Sequence, residues 1–382
     1  MVVQIHAEGG RALGFSVRVD SRTVSLVTAW RVRAVQLPGG DPVDAGITST
    51  GRWTLRPESG AEVLPGRFIL PGLVDAHCHL SVGVGDDGQP VALDLAAARN
   101  NLAKARSAGV STIRDTGSAG SITLDLLGTA DGAGLMACGR FLAPEGRYFP
   151  GLHVPVPAED LVAAALAEVE AGARWVKLIA DFPVLRPGEP PERPARPTYP
   201  LPDVEELVTA VHGAGARVAA HSTTRHVTEL VAAGIDSIEH GTALDEADVT
   251  ALAARGGAWT PTLCATIGAD SHNDPERWKQ QLELREQLGY LLRIAADQGV
   301  TIMTGTDVVG SIPREVALLA ELGLPPQAAL AAASTAARAF LGFTGLDDGE
   351  SADLVSYHDD PREDPAALGR PTAIFVRGAR IR

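Results

Sequence analysis

Two histidines stand two residues apart in residues 71–80, PGLVDAHCHL, at the end of an apolar run. On a strand, side chains at i and i+2 share a face, so His77 and His79 can reach one ion. Neutral imidazole is the commonest side-chain metal ligand, and two so spaced supply half of a site. The chain then returns further groups of compatible chemistry. Lys177 lies inside ARWVKLIAD, among Trp175, Val176, Leu178 and Ile179, where a lysine is seldom buried without a partner. His221 closes the run RVAAHS, His240 closes DSIEHG, and Asp307 closes TIMTGTD. Any one of these alone reads equally well as a packed histidine or a helix-capping aspartate. The force of the series is that all of its members fall at the ends of β-type runs.

Those runs define the elements that must do the positioning. Strands are expected at 68–75, 111–114, 136–142, 175–179, 217–220, 237–239, 258–262 and 301–304, the first with Pro71 and Gly72 inside it. Amphipathic helical stretches fall at 93–108, 158–172, 203–215, 224–233, 245–255, 275–298, 313–322 and 326–341. Eight such units predict an α/β chain built as a (β/α)8 TIM barrel, whose chemistry sits at the C-terminal ends of the strands. A doubly wound sheet fits less well, because no Gly-rich phosphate fingerprint follows the first strand. Residues 1–66 read instead as short strands, at 15–19, 23–27, 29–35 and 51–55. Residues 345–382 return to strands at 352–357 and 373–376, with Gly378 at a turn. The expected organisation is therefore a small flanking β-sandwich made by 1–66 and 345–382 beside a barrel at 67–344.

Two loops lie on the catalytic face. Residues 185–202, LRPGEPPERPARPTYPLP, are too proline-rich for a helix and read either as a lid or wall or as a surface linker. The loop APEGRYFPGLHVP carries Arg147, Tyr148 and His153. A guanidinium there could clamp a carboxylate, and the tyrosine hydroxyl or the imidazole could stabilise an oxyanion. Arg225, four residues after His221, is a second candidate for substrate contact, and Asp115 reads as a supporting residue rather than a ligand.

Composition narrows the class. The 382 residues are 45% hydrophobic, enough for a sizeable core, and a net charge of -14 disfavours nucleic acid and anionic membranes as partners. The three cysteines form no C-x-x-C pair, which fits a reducing compartment, and no apolar run approaches a membrane span. A cytoplasmic enzyme acting on a small molecule is the expectation; homo-oligomerisation is left open.

With these motifs in view, the chain resembles the amidohydrolase superfamily, in its imidazolonepropionase-like and prolidase-like branch of binuclear hydrolases. The resemblance rests on LPGLVDAHCHL, GVSTIRDTGS, AAGIDSIEHGT, TPTL, TGTD and ALAAASTAARAFLG followed by ADLVSY, and runs from about residue 66 to the end. It implies two divalent ions, usually zinc, bridged by a lysine carboxylated on its amine. By position, His77, His79 and Asp307 would hold one ion and His221 and His240 the other, with Lys177 as the bridging carbamate. It further implies hydrolysis by a bridging hydroxide, with Asp307 as base and proton shuttle. The substrate would carry an amide-like bond, as in an N-acyl amino acid, a dipeptide or a cyclic amide. Lactone, ester or carbamate hydrolysis stays open on the same centre. A mononuclear deaminase or imidazolone hydrolase fits less well: deaminases of this kind need a glutamate where this chain has Thr223, and Lys177 would have no task.

Overall fold

The computed structural model describes residues 28–129, 132, 134–186, 188–268 and 273–382; the strands expected at 15–19 and 23–27 lie outside them. Runs such as Trp175–Ile179 (WVKLI) and Ser237–His240 (SIEH) are buried at every position. A parallel strand with helices on one side and the barrel interior on the other has no solvent face, which is why these runs do not alternate. Leu73–Cys78, Val110–Asp115 and Leu135–Ala137 form barrel strands one to three, and Trp175–Ile179, Arg217–Ser222, Ser237–His240, Ala258–Thr260 and Thr301–Ile302 form four to eight. All of these neighbours pair in parallel.

Two joints close the ring. The run expected as one strand at 136–142 is split: Leu135–Ala137 pairs with strand two, and Phe141–Leu142, after a short break, pairs with strand four. Between strands eight and one, the Ala76 N–H donates to the Thr304 carbonyl at 2.9 Å and the Asp307 N–H to the His77 carbonyl at 2.7 Å.

Helices follow strand one (Leu95–Ser107) and strands three to eight. Some begin where an acidic side chain accepts from the first turn, as Asp94 does from the Ala97 N–H at 2.8 Å and Asp274 from the Arg277 N–H at 3.2 Å. Asp245 and Asp248 form a reciprocal capping box before Glu246–Ala254. Strand two is followed only by the 3-10 segment Ala119–Leu126, in which Gly120 and Ser121 both take φ near 61° and interrupt the winding. The helix expected at 326–341 is two, Pro326–Ala332 and Thr335–Phe340, and Ser334 between them donates its hydroxyl to the Pro71 carbonyl at 2.8 Å.

The termini build a second sheet. Its order runs Ala379–Arg380, Ala373–Val376, Leu354–Tyr357, Phe68–Pro71, Trp30–Gln36, Asp41–Ile47 and Trp53–Thr54, with Glu62–Val63 pairing beside Trp30–Gln36. Phe68–Pro71 pairs antiparallel with Leu354–Tyr357 and parallel with Trp30–Gln36. The single strand expected at 68–75 is therefore two strands in two sheets. The chain changes sheet at Pro71 and Gly72: Pro71 has no N–H to give, and the Gly72 N–H donates to the Asp353 carbonyl at 2.9 Å. A Cβ on Gly72 would lie 2.0 Å from Ser111 Oγ, so only glycine passes here. Under this sheet lies a separate apolar core that includes Val32, Ile47, Trp53, Ile69, Leu354 and Phe375. Among the described residues, no helix is long and apolar enough to cross a membrane.

Candidate metal centre and its cavity

The six groups singled out by type and spacing meet at the C-terminal mouth of the barrel. His77, His79, Lys177, His221, His240 and Asp307 all line one cavity of about 370 Å³. Donor atoms of His77, His240 and Asp307 lie within 4.8 Å of one another, and His79 Nε2 is 3.6 Å from Asp307 Oδ1. The rings of His221 and His240 are 4.5 Å apart and those of His77 and His240 5.0 Å. The close trio thus takes His240 alongside His77 and Asp307, cutting across the two ligand sets that the resemblance implies.

Three of the four imidazoles are fixed by the nitrogen that faces away from the centre. His77 Nδ1 meets Glu239 Oε2 at 2.7 Å, His79 Nδ1 meets the Gly117 carbonyl at 3.1 Å, and His240 Nδ1 meets Thr262 Oγ1 at 2.6 Å. A ring so held keeps Nε2 free, the arrangement that orients histidines toward a metal. Glu239 is in turn fixed by Arg114, whose Nη2 donates to Oε1 at 2.7 Å, and by the Ser237 hydroxyl at 2.6 Å. Arg114 and Glu239 are fully buried, and the guanidinium lies over the Trp175 ring at 4.5 Å. An ion pair therefore fills the barrel directly beneath the gathered imidazoles.

Local backbone makes this possible. Glu239 and His240 are consecutive in one strand, yet both face His77; side chains one residue apart would ordinarily point to opposite faces. His240 has φ 65°, which breaks the alternation at the strand end. Asp307 (φ 54°) and Thr262 (φ 45°) are likewise left-handed non-glycine residues, each a conformation that costs about 1–3 kcal/mol and clusters at functional sites. Asp75 anchors the Asp307 turn by accepting from the Thr306 N–H at 3.1 Å and its hydroxyl at 2.6 Å. Asp181 does the same beyond His221, accepting from the hydroxyls of Ser222, Thr223 and Thr224 and from the Thr223 and Thr224 N–H groups. Asp115 supports the His79 end, accepting from the Leu80 N–H at 2.7 Å and the Thr123 hydroxyl at 3.0 Å, and does not line the cavity.

Burial sets the protonation. It holds His77, His79, His221 and His240 below the ordinary histidine range, so the rings are neutral and carry lone pairs. It also lowers Lys177 to about 8, and the Lys177 Nζ has no hydrogen-bond partner among the described residues. Asp75 and Asp115 are pushed up to about 7 by desolvation, against the hydrogen bonds they accept. Four neutral imidazoles, a carboxylate and an orphaned buried amine form a donor set that fits divalent ions.

The cavity wall is apolar. Tyr148, Phe149 and Phe182 stand with ring centroids 5.1–5.2 Å apart, all nearly edge to face. Tyr148 lines the cavity and its hydroxyl has no hydrogen-bond partner among the described residues, while burial pushes that hydroxyl up and keeps it protonated. The other loop residues expected near substrate are held elsewhere. His153 does not line the cavity; its ring nitrogens face the carbonyls of Phe149 and Pro144 at 3.4 and 3.2 Å. Arg147 spends its Nη2 on the carbonyls of Phe182, Arg196 and Pro197, at 2.6–3.0 Å. Arg225 is bound to Asp245, Asp248, Thr228 and the Ala243 carbonyl, outside the cavity. Within the proline-rich stretch, Glu192–Pro197 pairs antiparallel with Asp181–Val184, and this hairpin presents Phe182 to the cavity.

Glu239, Arg114, Asp75, Asp181 and Thr262 were not singled out as site residues from the sequence. The signal for Glu239 was available: an acid inside the buried run DSIEHG, next to a ligand, needs a partner in the interior.

A closed α/β barrel with histidines, lysine and aspartate gathered at its strand ends defines a metal-dependent hydrolase. Residues 68–381 match the amidohydrolase family, and the chain belongs to it. An uncharacterized protein of Mycobacterium tuberculosis (strain ATCC 25618 / H37Rv) is 35% identical over 376 residues, covering 95% of this chain and 97% of that protein. Among solved structures, an Xaa-Pro dipeptidase with bound methionine in its active site is similar at TM-score 0.74 and 20% identity, over 92% of this chain and 99% of the other. A putative prolidase from Bifidobacterium longum is similar at TM-score 0.75 and 23% identity, over 93% and 95%.

Proposed function

We propose that this chain hydrolyses an amide-like carbon–nitrogen bond of a small molecule at a centre of two divalent ions, zinc by ligand type. The observation that carries the reading is the Lys177 amine, buried beside the imidazoles without a hydrogen-bond partner among the described residues and lowered to about 8. An amine adds carbon dioxide only when neutral, and this one reaches neutrality near physiological pH. As a carbamate, Lys177 would offer an oxygen to each ion. His77, His79 and Asp307 would hold one ion, and His221 and His240 the other. When bound, the ions acidify water and polarise a carbonyl.

The chain's own groups supply the remainder. Asp307 takes a proton from the attacking water and passes it to the leaving nitrogen. The Tyr148 hydroxyl donates to the oxygen on which charge develops. The rings of Phe149 and Phe182 exclude bulk water from the reacting carbonyl. This reading gives catalysis to 67–344 and support to 1–66 with 345–382, although Phe68–Pro71 pairs within the supporting sheet. The structures described as a dipeptidase and a prolidase support carbon–nitrogen cleavage by likeness of fold. Oxygen-linked substrates, such as a lactone, ester or carbamate, are the second reading, since attack at the carbonyl precedes departure of either atom. Deamination is disfavoured at Thr223, which lines the cavity and is tied to Asp181 through both its N–H and its hydroxyl.

The test is metal analysis of the purified protein combined with turnover of a panel of amides, carbamates and lactones, before and after chelation. About two ions per chain, and turnover lost on chelation and restored by zinc, are the expected results. Full turnover in metal-free protein would overturn the proposal.

A further inference from the structure

The walls of the cavity select against charge. Among the described residues that line it, the one cationic side chain is Lys177, which is 1% exposed and sits among the ligands at the floor. The side walls are made by Tyr148, Phe149, Leu152, Phe182 and Val308. The apolar character continues to the rim, where Val84 and Val309 line the opening while 53% and 65% exposed. The two arginines of the neighbouring loops do not line the cavity. Arg147 keeps its charge behind the wall, with Nη2 on backbone carbonyls of the Asp181–Val184 hairpin and Nε buried without a partner among the described residues, and Arg225 is neutralised by Asp245 and Asp248. A carboxylate held against these walls, away from the floor, would lose hydration without gaining a side-chain cation among the described residues, and the chain's net charge of -14 opposes its approach. The edge-to-face rings of Tyr148, Phe149 and Phe182 offer instead the surface on which another aromatic ring packs.

We propose that the substrate is an uncharged aryl amide, aryl carbamate or aryl urea, and that compounds with a free carboxylate, N-acyl amino acids and dipeptides included, are rejected. The inference rests on the hydrolase reading above for its bond and on the wall for its selectivity. In each case water adds to the carbonyl, the carbonyl-to-nitrogen bond breaks, and the leaving amine takes up a proton. A urea leaves a carbamic acid and a carbamate leaves a carbonic acid monoester, and each of these then loses carbon dioxide.

The experiment compares matched pairs in anilide, phenyl carbamate and phenylurea frameworks on the metal-loaded enzyme. The two members differ only at a ring position insulated from the scissile bond by a methylene, one carrying a carboxamide and the other a carboxylate. The neutral member is expected to exceed the charged one in kcat/KM by about 100-fold or more, as stranding a charge in an apolar site predicts. Equal or better turnover of the carboxylate overturns the inference. Val309→Arg adds a cation at an exposed rim position that should not disturb folding. It is expected to narrow the preference by about tenfold, in a salt-sensitive way. An unmoved ratio would overturn the argument that a missing cation sets the preference. If neither member of any pair is turned over, the hydrolase reading fails for these substrates, and selectivity is read by calorimetric binding of the same pairs. Tighter binding of the carboxamide upholds the wall argument, and equal or tighter binding of the carboxylate overturns it.

Discussion

The floor and the walls of the cavity are built on opposite principles. On the floor three of the four imidazoles are held from behind, by Glu239, the Gly117 carbonyl and Thr262, and Glu239 is held by Arg114. On the walls, rings and branched aliphatic chains meet one another, and loop arginines turn outward to backbone carbonyls and acids. The difference teaches a division of labour. Strand ends, fixed by barrel pairing, set what bond chemistry is available; loops set which molecule reaches it.

The sharpest break of the floor is Asp307→Asn. It removes the proton acceptor but keeps an oxygen, so turnover is expected to fall by about 1000-fold with metal content near wild type. Turnover and metal content measured on one preparation check this, and undiminished turnover would remove the proton shuttle. Lys177→Ala is expected to lower bound metal from two ions toward one, as counted by mass spectrometry of the dialysed protein. Retention of both would refute the bridge. Glu239→Gln leaves Arg114 buried opposite a neutral side chain, and loss of one partner of a buried pair costs about 3–5 kcal/mol, to be seen in chemical denaturation. It also loosens His77 and should weaken metal binding by about 10–100-fold.

The walls should respond differently. Phe182→Ala removes one ring of the aromatic set, a ring that also stands 5.9 Å from that of His221, so KM is expected to rise about tenfold with a smaller fall in kcat. A collapse of kcat would show that floor and wall are not separable. A last effect, on stability and not on turnover, lies at Glu315, which accepts from the N–H groups of Leu263 and Cys264 and is pushed up to about 7 by burial. Its pKa is raised on folding, so its stabilising contribution is present below the ordinary value of 4.5 and is lost as pH rises toward 7, by at most about 3 kcal/mol. Melting temperatures of Glu315→Gln from pH 4 to 8 should show a flatter profile than wild type; an identical slope would assign the pH dependence to other groups.

Much of the floor could be read from sequence because a barrel places strand ends in a ring, so ligand types at successive strand ends converge whatever lies between. The walls resisted for a physical reason. Arg147, His153 and Arg225 lie in loops, where side-chain direction follows tertiary partners such as the Phe182 carbonyl or Asp245 and not a local period. The break at Pro71 and Gly72 was hidden because both sides of it are uniformly apolar and buried, and only pairing partners reveal two strands. Asp41–Ile47 (DPVDAGI) was missed because it carries little β-branched or apolar alternation; its register against Trp30–Gln36 makes it a strand.

The crossing at Pro71 and Gly72 also ties the mouth of the barrel to the neighbouring sheet. The strand that delivers His77 grows straight out of Phe68–Pro71, which is flanked by Leu354–Tyr357 on one side and Trp30–Gln36 on the other. A change that frees Leu354–Tyr357 would leave the root of that strand a bare sheet edge, and so would reach the cavity from the far side of the molecule.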